Sequence, residues 1–164
     1  MIVLGVDTSL RSTGYAVVSI EGTRMYAVSY GCIPNPQKLP LSQCLKNIYA
    51  KISELIEEYS PDVLSVEKVI YAKNANVMLV LGEARGAVIT AAANKGIEIY
   101  EYEPRRIKMA VCGNGRAEKE QVQRMVKTLL SLDELPQNDA ADAMAIAITH
   151  SHSISPLLKM NGAI

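Results

Sequence analysis

Two aspartates stand three residues apart in PQNDAADAMAI (Pro136 to Ile146), a run otherwise almost entirely alanine, methionine and isoleucine. Residues three apart share one face of a helix, so Asp139 and Asp142 can point at a common spot. A carboxylate in so apolar a segment is costly unless something positive lies beside it. Asp139 has an ordinary use near a helix start, as a cap or a partner of the helix dipole. Asp142 is harder to explain, because apolar residues flank it all round the helical wheel. Short of a buried ion pair with an arginine, it calls for a cation.

Two further acids end apolar runs. Asp7 follows Ile2 to Val6, and Glu67 ends DVLSVE (Asp62 to Glu67). If those runs are parallel neighbouring strands, both carboxylates emerge at the carboxyl edge of the sheet, where open α/β sheets keep their sites. Asp7 could equally serve the turn after it, and Glu67 could pair with Lys68 or Lys73. As a set, four carboxylates at element ends favour an oxygen-ligated divalent ion, Mg²⁺ or Mn²⁺, over zinc. Acids sharing such ions hydrolyse phosphodiesters, given cations to hold the phosphates. Arg105, Arg106, Lys108, Arg116, Lys119, Arg124 and Lys127 lie within one stretch and are opposed only by Glu118 and Glu120. Lys119 and Arg116 follow the Gly113-Asn114-Gly115 turn, where backbone N–H groups and cations together can meet phosphate. Taken alone, Lys108 and Lys119 read better as exposed lysines on solvated helix faces.

The elements that must position these groups follow from periodicity. Ile2 to Val6 reads as a central strand buried on both faces. Tyr15 to Ile20 and Arg24 to Ile33 read as a hairpin turning at Glu21-Gly22. Leu41 to Tyr59 repeats its apolar residues at three- and four-residue steps and is stopped by Ser60-Pro61. A fourth strand over Asp62 to Glu67 precedes a long helix, Asn76 to Asn94, ended by Gly96. Its small residues, from Gly82 and Gly86 to Ala93, suit close approach of another helix. Ile97 to Tyr102 is the fifth strand. Pro104 opens a short helix, Ala117 to Leu132 another, and Pro136 starts a final helix reaching His150. The order gives a mixed α/β sheet with helices on its faces.

The 164 residues, 49% apolar, suit one domain, and 17 acidic against 17 basic residues give no overall charge signature. Three cysteines without CxxC spacing argue against disulfides and zinc and for a reducing compartment. MIVLGVD lacks a basic leader, and Val77 to Ala93 reads as too short and, with Glu83 and Arg85, too charged to span a bilayer. A cytoplasmic protein with no membrane partner is expected.

In order and spacing, VLGVDTSLRSTGYAV, VEKVIYAKNA, LGEARGA, GNGRAEKEQVQRMV and DAADAMAIAITH resemble the RuvC family of Holliday-junction endonucleases, over nearly the whole chain. The resemblance implies an RNase H-like fold of five mixed strands with helices on both faces. It implies a nuclease domain over 1–152; the remaining residues, 153–164, match none of its motifs and are expected to be a mobile tail. It further implies a homodimer, paired through the helix around Gly82 to Ala92, that makes symmetric nicks in four-way DNA junctions with RuvA and RuvB as partners. Asp7, Glu67, Asp139 and Asp142 match that family's metal-binding acids, while Lys108 and Lys119 match basic residues near the scissile phosphate. Ile70, Tyr71, Lys73, Arg105 and Arg116 join Lys108 and Lys119 as expected DNA contacts. Thr8-Ser9 replaces the family's usual Pro-Gly, and Ile70 stands where an aromatic is usual, a place Tyr71 could fill by stacking on a base. Those departures leave a catalytically weak junction-binding module as the alternative.

Overall fold

A computed structural model of the chain describes residues 1–69 and 74–153. Five strands, β1 (Ile2–Asp7), β2 (Ser12–Glu21), β3 (Arg24–Pro34), β4 (Val63–Glu67) and β5 (Glu98–Tyr102), form one sheet in the order β3-β2-β1-β4-β5. β1 to β3 are antiparallel, whereas β4 and β5 run parallel to β1. Helices α1 (Leu41–Tyr59) and α2 (Ala75–Ala93) cover one face; α3 (Pro104–Cys112), α4 (Lys119–Leu129) and α5 (Asn138–Ser153) cover the other. The mixed α/β sheet with helices on both faces is as expected, and β1 is central, with Val3, Leu4 and Val6 fully buried. The three cysteines are free.

Several boundaries moved for local reasons. The hairpin turns at Gly22-Thr23, because Glu21 already pairs with Arg24, and Gly22 takes φ 63 as two-residue loops of primed type require. β2 begins at Ser12, three residues early, since Ser12 and Thr13 pair with Pro34 and Ile33. α2 starts at Ala75, where Asn74 Oδ1 accepts the N–H groups of Asn76 and Val77. α4 starts at Lys119, because the Gln121 side chain reaches back to the Glu118 N–H at 2.8 Å. Its end comes before Ser131, a non-glycine residue at φ 52. Pro136 lies before α5, its carbonyl held by Gln123 Nε2 at 2.6 Å, and the helix continues past His150 to Ser153.

One exclusion needs correcting. At 19 residues, α2 is long and apolar enough to cross a bilayer by length and composition. One face of it packs into the domain through Ala84, Val88, Ala91 and Ala92, and Arg85 is ion-paired to Glu101 at 2.6 Å. The expected DNA contacts Ile70, Tyr71 and Lys73, and the tail beyond Ser153, lie outside the described residues.

Helix α5 is apolar nearly all round because it is buried nearly all round, against β1 and β2 beneath and α3 and α4 beside it. The approach is closest at two glycines. A Cβ on Gly5 would lie 2.2 Å from the Ala143 carbonyl oxygen and 2.9 Å from Ala147 Cβ. A Cβ on Gly14 would overlap the Asp139 carbonyl, at 2.0 Å from its oxygen. Bare strand backbone therefore sets the height of α5 above the sheet. Gly5→Ala should accordingly destabilise the protein by about 3 kcal/mol, the upper end of ordinary overpacking, because the clash is with backbone. Urea unfolding of the variant beside wild type checks this, and a change under 1 kcal/mol would contradict so tight a seat.

Candidate active site

Parallel pairing of β1 with β4 puts Val6 opposite Val66, so the next residue on each strand, Asp7 and Glu67, leaves the sheet at the same edge. The antiparallel β1–β2 ladder sets Asp7 opposite Gly14, the residue on which the Asp139 backbone rests. One turn further along α5, Asp142 looks into a cleft of about 250 Å³. Asp7, Glu67 and Asp142 line it with Lys108 and Lys119, over apolar Ile107, Val122 and Ile146. Asp139 sits outside that lining, where its Oδ2 accepts the Ser12 hydroxyl.

The carboxylates feel one another. Burial first, then repulsion from Asp142, Glu67 and Asp139, raises the Asp7 carboxyl to about 7, against a modest opposing pull from Lys119. Burial and Asp142 raise Glu67, which Lys119 and Lys108 partly offset. Asp142 is raised by burial despite Lys119, whose ammonium donates to its Oδ2 at 3.3 Å. That contact in turn raises Lys119. The sequence pointed to Asp142 as the deeply buried acid. Its side chain keeps 31% exposure, because α5 turns that flank toward the cleft, and the heavier burial falls on Asp7.

The structure thus gathers Asp7, Glu67, Asp142, Lys108 and Lys119 around one cleft, with Asp139 at its rim. Arg105 and Arg116 are exposed at the α3–α4 junction and do not line it. The Arg105 side chain lies over Gly115, whose added Cβ would come within 2.7 Å of Arg105 Cγ. Arg106 is turned inward, 5.1 Å over the Tyr102 ring and donating to Ser153. Lys68, offered as a partner for Glu67, instead reaches Glu101 at 3.9 Å. Ser12 follows Asp7 within TSLRST, a polar stretch that reads as a turn from sequence; its bond to Asp139 spans 127 positions and has no local signature.

As a cation site the donors are hard oxygens with mutual repulsion to relieve. Among the described residues no three such groups already converge as a closed chelate. Hard oxygen donors of this kind fit an oxygen-ligated divalent cation.

The profile of the family described as "Crossover junction endodeoxyribonuclease RuvC" matches residues 3–150. A curated relative of that description from Geobacter sp. (strain M21) is 48% identical over 161 residues, covering 97% of this chain and 98% of its own. The solved Thermus thermophilus RuvC structure superposes with a TM-score of 0.86 at 31% identity, over 93% of this chain and 95% of the other. RuvC of that organism in complex with a Holliday junction substrate gives a TM-score of 0.87 at 31% identity, over 92% and 93%. The sheet and its helices are of the RNase H-like α/β type.

The raised Asp7 carboxyl gives a pH test with a definite sign. Folded Asp7 holds its proton over a range where the unfolded chain has lost it, so metal-free stability should fall as pH rises from about 4 to about 7. Asp7→Asn removes that loss. At pH 8 in EDTA it should be more stable than wild type by on the order of 2–4 kcal/mol. Millimolar Mg²⁺ should raise the Tm of wild type more than that of the variant. An Asp7→Asn protein less stable than wild type at pH 8 in EDTA would show that repulsion at Asp7 is not what the fold bears there.

Proposed function

The chain belongs to the RuvC family of crossover junction endodeoxyribonucleases, and from that premise we infer that this cleft hydrolyses the phosphodiester backbone of four-way Holliday junctions. The reading is of symmetric paired nicks in DNA recombination and repair. The observation that carries it is the meeting of strand-borne Asp7 and Glu67 with helix-borne Asp142 on one cleft that also holds two lysines. The family is in general dependent on divalent metal. We assign Asp7, Glu67, Asp139 and Asp142 as the holders of that metal and Mg²⁺, or Mn²⁺, as its identity. When bound, the metal supplies charge for the phosphate and acidity for a water nucleophile.

The chain's own residues do the rest. Asp7 is the most compressed of the acids electrostatically, so it gains most when a cation is shared. Lys119 is 72% exposed at its side chain while touching Asp142, which leaves its ammonium within reach of a phosphate at the cleft mouth. Lys108, on α3, also lines the cleft, close enough to act on both Glu67 and Asp142. Isoleucines and valine beneath the acids thin the water around them, which strengthens every charge interaction there. Arg105 and Arg116, exposed and outside the cleft lining, would take phosphates beyond it.

Paired nicks need two such clefts. The α2 surface supports the homodimer: Gly82 and Gly86 have nothing within 4 Å where a side chain would stand, and Val77 and Leu79 are 54% and 63% exposed. Partners in this reading are junction DNA, a second copy of the chain, and the RuvA and RuvB proteins. The nuclease domain is 1–152, acting on DNA in the cytoplasm.

Purified protein incubated with a mobile four-way junction in Mg²⁺ or Mn²⁺ should give paired nicks and leave linear duplex uncut. Asp142→Asn should abolish the nicks while junction binding survives. Lys119→Ala should slow them roughly tenfold to a hundredfold with little change in Tm. Binding without nicks in either metal would favour a junction-binding module instead, and equal cutting of linear duplex would remove junction selectivity.

A further inference from the structure

The two helix-borne acids are held by different means. Asp142 leans on a cation, Lys119, whereas Asp139 has the Ser12 hydroxyl as its side-chain donor among the described residues. Ser12 and Gly14 are two apart on β2 and therefore face the same side of the strand. Gly14 seats the Asp139 backbone and Ser12 takes one oxygen of its carboxylate, so a single strand face fixes both ends of that residue. Ser12 is itself anchored, being paired in the ladder with Pro34. The bond commits Oδ2 and leaves Oδ1 as the free donor. We propose that Ser12 is a positioning residue for metal binding: its hydroxyl engages Oδ2 and fixes the rotamer of Asp139, so that the other carboxylate oxygen stays available to a cation.

The inference rests on reading the cleft as a metal-dependent nuclease site. A single exchangeable hydroxyl–carboxylate bond at a half-buried position adds little net stability to the fold. Its value lies in orientation, because an aspartate in the first turn of a helix otherwise samples several rotamers. Outer-shell partners of metal-binding carboxylates commonly carry tenfold or more in metal affinity. Lys119 donates to Asp142 and not to Asp139.

Ser12→Ala should raise the Mn²⁺ concentration for half-maximal junction nicking about tenfold. Junction affinity and Tm in EDTA should match wild type. The midpoint of Mn²⁺ binding, followed without turnover by loss of the free-ion electron paramagnetic resonance signal, should shift by the same factor. Ser12→Thr keeps the hydroxyl on a residue suited to a strand and should restore both midpoints. Unmoved midpoints in Ser12→Ala overturn the proposal, as does Ser12→Thr shifting as far as Ser12→Ala. A lowered Tm in EDTA with unmoved midpoints assigns Ser12 a purely structural role and also overturns it. A wild-type protein that neither binds Mn²⁺ nor nicks junctions overturns the nuclease reading beneath it, an outcome distinct because no midpoint exists to compare.

Discussion

Helix α5 can lie directly on β1 and β2 only because Gly5 and Gly14 present bare backbone where its carbonyls arrive. Side chains at those places would lift the helix, and lifting it would carry two of the four acids away from the other two. The sheet edge offers Asp7 and Glu67 whatever the helix does, since their position depends on the β1–β4 register alone. The meeting of strand acids with helix acids is thus a packing result before it is an electrostatic one. Ala140, Ala141, Ala143, Ala145 and Ala147 extend the same logic along the helix, keeping it slim enough to be enclosed by α3, α4 and the sheet.

That closeness has an electrostatic consequence. Carboxylates drawn together over an apolar floor raise one another's affinity for protons, and the most enclosed, Asp7, is raised furthest. A folded domain tolerates this because hydrophobic burial on both faces of the sheet, around Leu4, Val6, Leu64 and Val66 on one side and Val3, Met144 and Ile148 on the other, outweighs it. Strain of this kind concentrates where function needs it, since a site already short of positive charge binds a cation more strongly. Lys119 gives partial relief, but it does so from an exposed position where it can exchange its partner.

The sequence carried the sheet and the order of its elements, and it singled out the three acids that line the cleft, because these depend on local features. Apolar runs end in acids at Asp7 and Glu67, and three-residue spacing aligns Asp139 with Asp142. Three things were illegible, each because the cause is distant along the chain. The start of β2 at Ser12 is decided by pairing with Pro34, not by local propensity, and TSLRST reads as a turn without that partner. The unequal burial of the acids follows from which flank of α5 meets the cleft, which a helical wheel does not reveal. Arg106 looked like one more cation of a basic run until Tyr102 and Ser153 drew it inward.

The division of labour between strand and helix follows from these constraints. Asp7 and Glu67 are held by the ladder, so their backbones cannot adjust to an incoming ion. Asp139 and Asp142 ride on a helix seated at a fixed height, and their side chains alone remain to be set. One is set by a neutral hydroxyl and the other by a movable cation. A neutral donor would add no positive charge to compete with a metal, while a lysine on Asp142 would have to give way for that carboxylate to serve one fully. Under the proposed metal-dependent reading, the asymmetry would leave Asp139 set in advance and Asp142 dependent on the exchange of its Lys119 partner.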